Sequence, residues 1–429
     1  MVLCLCDRYW RGYGFVCVCV LLFLLPVYGS LLLAHHPMPL VIFGSFSAPL
    51  SVWAYLSVPA KRRFFFGFWV GLGLFYWCAL SFRYNDNVFL LPLIMVLIAL
   101  CYAVVFYGLL YFNSLLYRIA TLWLSSYIHP FGFDWFVPDA FFAYSGFKVD
   151  RLSFLGVIVA IALFMQRYKN FMFFKPLYAP SKIFAVVLLV LSINWKQSAS
   201  ALDPNALKVV QTNTNQKTKW QPEFLDATIA FNLTTIQQAI QEKKQVVILP
   251  ETAFPIALNK SNLIPTLLSL SQQITIIAGA LYEENDTIYN STYVFDHGDY
   301  HYAHKVILAP FGERMPLPSF LADYLDRFFF GADVFKLGNA PHFSDMKTQH
   351  LDFRPLVCYE GTSKPAYENS PPNLVVISNN AWFVPSIEPF LQRMLLKYYA
   401  RRFDKTIIHS VNFSPSYILT PALLGDRLY

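Results

Sequence analysis

The sequence predicts an N-terminal α-helical polytopic membrane domain of about seven spans joined to a C-terminal α/β layered sandwich. Three observations carry this. The 429 residues are 56% hydrophobic and 18% aromatic but only 14% charged, with a mean hydropathy of +0.43, a balance outside the range of ordinary soluble proteins. Residues 1–195 hold run after run of membrane-crossing length. In residues 200–429 short β-branched runs alternate with longer segments of helical periodicity, the pattern of a layered α/β domain.

Spans are expected at 13–34, 38–58, 64–82, 88–112, 115–130, 152–167 and 181–195. Each is long enough to be read as a crossing, and the fifth runs into the turn-forming "HPFGF". The first run is longer than the apolar stretch of a signal peptide, lacks a small-residue cleavage site and leads straight into further spans, so it reads as a helix of the fold. Alternate loops carry Arg8 and Arg11, then Lys61, Arg62 and Arg63, then Arg118, then Arg167, Lys169, Lys175 and Lys182; the intervening ones hold only Arg83, Lys148 and Arg151. By the positive-inside rule the N-terminus is cytoplasmic, and an odd number of crossings delivers the second half to the extracytoplasmic side, which for a bacterial inner membrane is the periplasm. The net charge of +7 is mostly explained by this topology. No basic stripe interleaved with aromatics points to nucleic acid, and no internal repeat is present.

The polar, turn-rich stretch 196–206 reads as a linker and 207–429 as the globular domain. Strands are expected over 207–213, 245–250, 274–282, 291–296, 355–360, 373–378 and 405–411, and helices over 222–244 and 386–404. Segment 318–343, with its "RFFFG", interrupts the alternation. A loop folded onto the core and a lid over a lipid-facing pocket, formed by Phe328, Phe329 and Phe330, fit it equally well.

Cys358 is the single cysteine of the second half; Cys4, Cys6, Cys17, Cys19, Cys78 and Cys101 all lie in the first quarter. Without a partner in its own domain it serves packing or chemistry, not an intramolecular disulfide. Glu251 follows "VVILP", Lys305 lies in "HYAHKVILAPFGE" and Cys358 follows "RPLV". Residues just beyond the carboxyl ends of strands converge on the ligand crevice of α/β sheets. A thiol of ordinary pKa, about 8.5, needs a base to take its proton and a cation to hold the thiolate; Glu251 and Lys305 supply both. Singly, each residue has a plainer role: packing for the cysteine, the first turn of a helix for the glutamate, solvation for the lysine. Together they favour covalent catalysis.

The blocks "LPETAFP" (249–255), "HKVILAPFGERMPLP" (304–318), "VCYEG" (357–361) and "ISNNAWF" (377–383) resemble the signature blocks of the carbon–nitrogen hydrolase (nitrilase) superfamily with its Glu-Lys-Cys triad. With a polytopic membrane half in front, the chain resembles the apolipoprotein N-acyltransferase branch, most specifically over 207–404. The resemblance implies a nitrilase-like αββα sandwich with Glu251 as general base, Lys305 as oxyanion stabiliser and Cys358 as nucleophile. It implies Glu313 as a second carboxylate positioning Lys305 and the substrate, and Trp220, Tyr359, Glu360 and Trp382 as pocket residues; ordinary core packing fits the two tryptophans as well. The sequence departs from the family's pattern after the last helix, where "SVNFSPSYILTPALLGDRLY" stands in place of a further strand pair and a final span. The domain is therefore expected to hang from one membrane connection, with the closure of its last strands left open.

The reaction so implied is a two-step acyl transfer. Cys358, deprotonated by Glu251, attacks an ester of a membrane phospholipid, phosphatidylethanolamine by the resemblance, while Lys305 and the Tyr359 backbone N–H hold the oxyanion. The thioester then gives its acyl chain to the N-terminal amino group of a lipoprotein's diacylglyceryl-cysteine. Lipid substrates account for the membrane half, which concentrates them and keeps water from the thioester. The enzyme is expected to be monomeric and to use no metal or organic cofactor: the nine histidines show no paired ligand spacing, and there is no Gly-rich phosphate loop. A membrane-tethered amidase or nitrilase hydrolysing a small amide shares the triad but leaves the spans without a purpose. A non-catalytic transporter or scaffold calls for ionisable residues within the spans, which are nearly uncharged.

Overall fold

The computed structural model describes residues 2–84, 88–166, 178–196, 202–318, 320, 322 and 337–429. Phe328, Phe329 and Phe330, the expected lid residues, lie outside the described residues, as do 197–201 of the expected linker.

The first half is helical: α1 (Val2–Leu32), α2 (Pro37–Ser57), α3 (Arg63–Phe75), α4 (Leu91–Leu109), α5 (Leu115–Leu124), α6 (Arg151–Met165) and α7 (Tyr178–Ser192). Among the described residues, four stretches are long and apolar enough to cross a membrane: Gly12–Leu32, Pro37–Ser57, Ala60–Tyr84 and Val88–Leu109. The expectation of about seven is therefore not met by length. The expected fifth span contains only the ten residues of α5, about 15 Å at 1.5 Å per residue, or half a hydrocarbon core. It ends where Ser125–Tyr127 tighten into a 3₁₀ turn and Pro130–Gly132 break the chain. The fifteen residues each of α6 and α7 reach about 22 Å, still short of that core.

Small residues set the closest approach in this bundle. A Cβ on Gly67 of α3 meets Phe106 Cβ at 2.5 Å, and one on Gly71 meets Tyr102 Cβ at 2.4 Å, so this four-residue spacing of glycines lets α4 lie directly on α3. Phe23 of α1 packs edge-on against Phe66, Phe106 and Phe141, with centroids 5.4–5.8 Å apart. The first helix is thus part of the bundle.

The second half contains β1 (Leu207–Val209), β2 (Gln211–Thr212), α8 (Pro222–Gln241), β3 (Val246–Ile248), β4 (Phe254–Ala257), α9 (Ile264–Ser271), β5 (Thr275–Glu284), β6 (Thr287–Asp296) and β7 (Asp299–His304). There follow β8 (Leu337–Gly338), β9 (Met346–Lys347), β10 (Asp352–Val357), β11 (Asn373–Asn379), α10 (Glu388–Phe403), β12 (Thr406–Asn412), β13 (Tyr417–Leu419) and β14 (Arg427–Leu428). Among the described residues they make two sheets. One runs β1-β3-β5-β6-β7 with β4 beside β5 and β8 beside β6; the other runs β14-β13-β12-β11-β10-β9 with β2 beside β12.

The period-2 alternation of side chains decides the layers. Val246, Ile248 and Ile277 of the first sheet meet Val357, Val375, Ile377 and Ile408 of the second. The opposite face of the first sheet, with Val247, Ile276 and Ala278, is covered by Ile236 of α8 and Leu267 of α9. Leu374, Val376 and Ile407 of the second sheet share a core with Leu395 and Leu396 of α10. Strands buried on both faces read as continuous apolar runs, and an αββα sandwich results. The closure left open by the sequence is made by β13, antiparallel to β12, and β14, antiparallel to β13.

Helix α10 is also the floor on which the membrane half rests. Arg401 donates to the carbonyls of Phe142, Ala143, Ser145 and Phe147 at 2.7–3.1 Å, and Arg393 donates to Ala34 O at 3.2 Å. One apolar core runs from Phe23 and Phe106 through Trp77, Trp135 and Tyr359 to Leu356 and Val376.

Candidate active site

The three residues expected to do chemistry all follow strands. Glu251 stands just beyond β3, Lys305 directly after β7 and Cys358 directly after β10. Room for the Glu251 turn comes from Gly279 on neighbouring β5: a Cβ there meets Thr252 N at 2.5 Å and Glu251 Cα at 2.7 Å. Cys358 has φ +53°, a left-handed conformation that costs a non-glycine residue about 1–3 kcal/mol. Glu251 and Lys305 are 8% and 1% exposed, whereas Cys358 is left partly open.

Lys305 Nζ lies 2.6 Å from Glu313 Oε2. Burial pulls the ammonium's pKa down, but Glu313, then Glu251, Cys358 and Glu360, outweigh it and hold Lys305 above the ordinary lysine value. It is therefore a fixed positive charge. Burial pushes Glu251 up; Lys305 opposes this, Glu313 adds to it, and a 2.7 Å hydrogen bond from Asn290 Nδ2 brings it part of the way back. Burial, reinforced by Glu251, raises Cys358 well above its ordinary value despite Lys305. Cys358 therefore rests as a thiol, with the Glu251 carboxyl and the Lys305 charge in its electrostatic surroundings.

Glu360 ties the pieces together. Its Oε1 accepts from Val306 N at 2.6 Å and Ile307 N at 3.1 Å, and its Oε2 accepts from Val357 N at 2.7 Å. One buried carboxyl thus joins the backbone after Lys305 to the backbone before Cys358. Burial raises its pKa to about 7; the Lys305 charge and the three N–H donors oppose that rise.

The remaining expected residues separate. The Tyr359 ring turns toward the membrane half: it stacks 6.4 Å from Trp135, its hydroxyl donates to Gly132 O at 3.3 Å, and Asp134 N donates to it at 3.0 Å. Trp382 is half-buried and meets Tyr84 edge-on at 5.3 Å. Trp220 is 47% exposed, which removes the core reading for it, and its neighbour Lys219 donates to Glu251 O at 3.1 Å. Burial, opposed by Glu251, lowers Lys219 to about 8.

Four contributors were not singled out by the sequence: Asn290, Lys219, Arg83 and Tyr84. Arg83 Nη2 donates to the carbonyls of Ala381, Trp382 and Val384 at 3.0, 3.3 and 2.5 Å, and Tyr84 Oη donates to Ala381 O at 2.7 Å. The membrane half therefore grips the loop that carries Trp382. Only Lys219 had a local signal, its place beside Trp220 in "TKW".

The apolipoprotein N-acyltransferase integral membrane domain matches residues 12–191, and the carbon-nitrogen hydrolase domain matches residues 209–413. A Helicobacter pylori protein named apolipoprotein N-acyltransferase is 49% identical over 398 residues, covering 92% of either chain. This chain belongs to the apolipoprotein N-acyltransferase family. A Wolinella succinogenes protein of the same name is 40% identical over 412 residues, 96% of either chain. Among solved structures, a CN-hydrolase superfamily protein from Xanthomonas campestris with an arsenic adduct in its active site aligns at 12% identity with a TM-score of 0.40, over 52% of this chain and 85% of its own. As an apolipoprotein N-acyltransferase family member, the chain is a multi-pass protein of the bacterial inner membrane.

Proposed function

We propose that this protein transfers a fatty acyl chain from a membrane phospholipid, through a thioester on Cys358, to the N-terminal amino group of the diacylglyceryl-cysteine of lipoproteins. The observation that carries this is the placement of Glu251, Lys305 and Cys358 just after three strands, with Glu360 tying the backbone after Lys305 to the backbone before Cys358, in a domain packed directly against apolar helices. Glu251 takes the thiol proton, Cys358 attacks the ester carbonyl, and Lys305 with the Tyr359 N–H stabilises the oxyanion. Glu313 and Glu360 position Lys305 and the nucleophile. Trp382 and Trp220 border the substrate path.

The donor is phosphatidylethanolamine and the enzyme works as a monomer. Residues 1–195 form the membrane part, 196–206 the linker and 207–429 the catalytic part, which faces the periplasm from a cytoplasmic N-terminus. Support for that orientation is the Lys and Arg bias of the loops. With four long helices, it requires α5, α6 and α7 together to supply an odd number of crossings.

The test is intact-mass spectrometry of protein mixed with phospholipid vesicles. An acyl adduct on the Cys358 peptide that a diacylglyceryl-cysteine peptide discharges as its N-acyl product supports the reading. Transfer by C358A, or an adduct discharged only by water, sinks it. A reporter fused after Tyr429 tests the orientation, and activity on the cytoplasmic side overturns it.

A further inference from the structure

The stretch 213–219, "NTNQKTK", holds no apolar residue, so hydrophobic burial cannot fix it in place. Two of its side chains are nevertheless inside: Gln216 is 5% and Lys219 2% exposed. Asn215, Lys217 and the following Trp220 stay at the surface. A lysine is almost never fully buried without partners that repay its desolvation, and the partners of this stretch lie in both sheets. Toward the second sheet the anchor is a chain of amides at the carboxyl ends of β11 and β12. Gln216 Oε1 accepts from Asn379 Nδ2 at 2.7 Å, Asn379 Oδ1 accepts from Asn412 Nδ2 at 2.8 Å, and Asn412 Oδ1 accepts from Thr214 N at 2.8 Å. Toward the first sheet the anchor is Lys219 Nζ, which donates to Glu251 O at 3.1 Å. Lys219 N donates to Asn215 O at 2.9 Å, so both anchors belong to one closed turn.

The backbone around Glu251 needs such an anchor. Thr252 has φ +46°, a conformation that a β-branched residue keeps only where its surroundings hold it. Gly279 N and Ala253 N donate to Pro250 O at 3.3 and 3.2 Å, and Asn232 Nδ2 donates to Ala253 O at 2.7 Å. Between these two carbonyls, Glu251 O takes its hydrogen bond from Lys219. Resting on the acyl transfer proposed above, we infer that Lys219 is a positioning residue of that reaction: through Glu251 O it fixes the turn that presents the base, and it fastens to that turn the segment that carries Trp220.

The same frame reaches the other tryptophan of the proposed substrate path. Asn379, which holds Gln216, is the last residue of β11 and leads directly into the 3₁₀ turn Asn380–Trp382. Trp220, Trp382 and the Glu251 turn are therefore held by one hydrogen-bonded assembly, and a shift of the polar stretch is felt at the base. Lys219 also brings charge. Burial raises the Glu251 pKa; Lys305, Asn290 and Lys219 oppose that rise, and Glu313 adds to it.

The experiment follows acylation of Cys358 from a p-nitrophenyl ester of a fatty acid across pH, on full-length protein, beside thermal unfolding. K219M keeps the packing of the stem and removes both donor and charge. It is expected to lower kcat about 10- to 100-fold, as befits the loss of a charged hydrogen bond, with KM for the ester little changed. Its acid limb moves to higher pH, because Glu251 ionises less readily without the Lys219 charge. K219R keeps charge and donor and brings the limb back toward the wild-type position. Q216A releases the other anchor and leaves the charge, so acylation slows while the limb stays; the double variant K219M/Q216A is less impaired than the two losses multiplied, since both cut one assembly. An unmoved acid limb in K219M, or a lower unfolding temperature with a wild-type rate, assigns Lys219 to stability alone and overturns the inference. If K219M does not fold, Q216A decides, and a wild-type rate there overturns it. Should wild-type protein form the adduct yet never N-acylate a diacylglyceryl-cysteine peptide, the proposed function fails, while the pH profiles still decide the role of Lys219 in acylation.

Discussion

Lys305 Nζ and Glu313 Oε2 stand 2.6 Å apart, the lysine side chain 1% and the carboxylate 16% exposed. Glu313 is itself pinned, because its Oε2 also accepts from Ala309 N at 2.8 Å. The pair explains how a fully buried lysine keeps its charge: the desolvation that pulls its pKa down is more than offset by the carboxylates around it.

E313Q therefore lowers the Lys305 pKa. If the charged ammonium stabilises the oxyanion, the rate of Cys358 acylation falls on the alkaline side, and in E313Q that limb moves to lower pH. A pH profile of acylation from a p-nitrophenyl ester reads it. An unmoved alkaline limb removes Glu313 from this role.

N290A acts on the other limb. The Asn290 hydrogen bond favours ionised Glu251, and a bond to a charged group contributes about 1.5–3 kcal/mol, or about one to two pH units. If Glu251 is the base, acylation needs it ionised and is lost as pH falls through its pKa. The acid limb in N290A should thus lie about one to two units higher, measured in the same assay.

E360Q replaces an oxygen that accepts a backbone N–H by an amide that cannot, at a cost of about 1–3 kcal/mol. The Lys305 and Cys358 backbones lose their common tie. Thermal unfolding should come at lower temperature and acylation should slow at least tenfold; full retention of both means the bridge is dispensable. Between the unfolded pKa near 4.5 and the folded value of about 7 the native state holds this proton more tightly. The stability that Glu360 contributes is full below the lower value and declines as pH rises through about 7. E360Q abolishes that decline.

R83A frees the loop 381–384. Loss of a charged donor from three carbonyls should reduce phospholipid-dependent acylation about 10- to 100-fold, while Cys358 keeps its reactivity toward a small soluble thiol reagent. R83K, a point charge without the planar fork, restores little. Equal loss of thiol reactivity in R83A means that the clamp supports the whole domain, not the lipid path.

Polarity and period determined much of this protein before any fold was seen. Hydropathy separated the halves, and the runs "VVILP" and "RPLV" named the strands after which Glu251 and Cys358 fall. Buried strands announce themselves locally, because two covered faces demand consecutive apolar residues. The length of α5 was invisible to such averages: hydropathy sums over a window and does not register the backbone tightening at Ser125–Tyr127. β7, "DYHYAH", was missed because a polar edge strand lacks the apolar signal.

Charge relationships were the part that only tertiary structure decided. Arg83 lies 298 residues before Ala381, Asn290 lies 39 after Glu251, and Glu388 is an ordinary glutamate at the start of a helix until the membrane half closes over it. A residue's solvent preference is a local property that sequence records, whereas its partners depend on which surfaces pack together. The Glu360 bridge exists only once two sheets and a helical bundle meet.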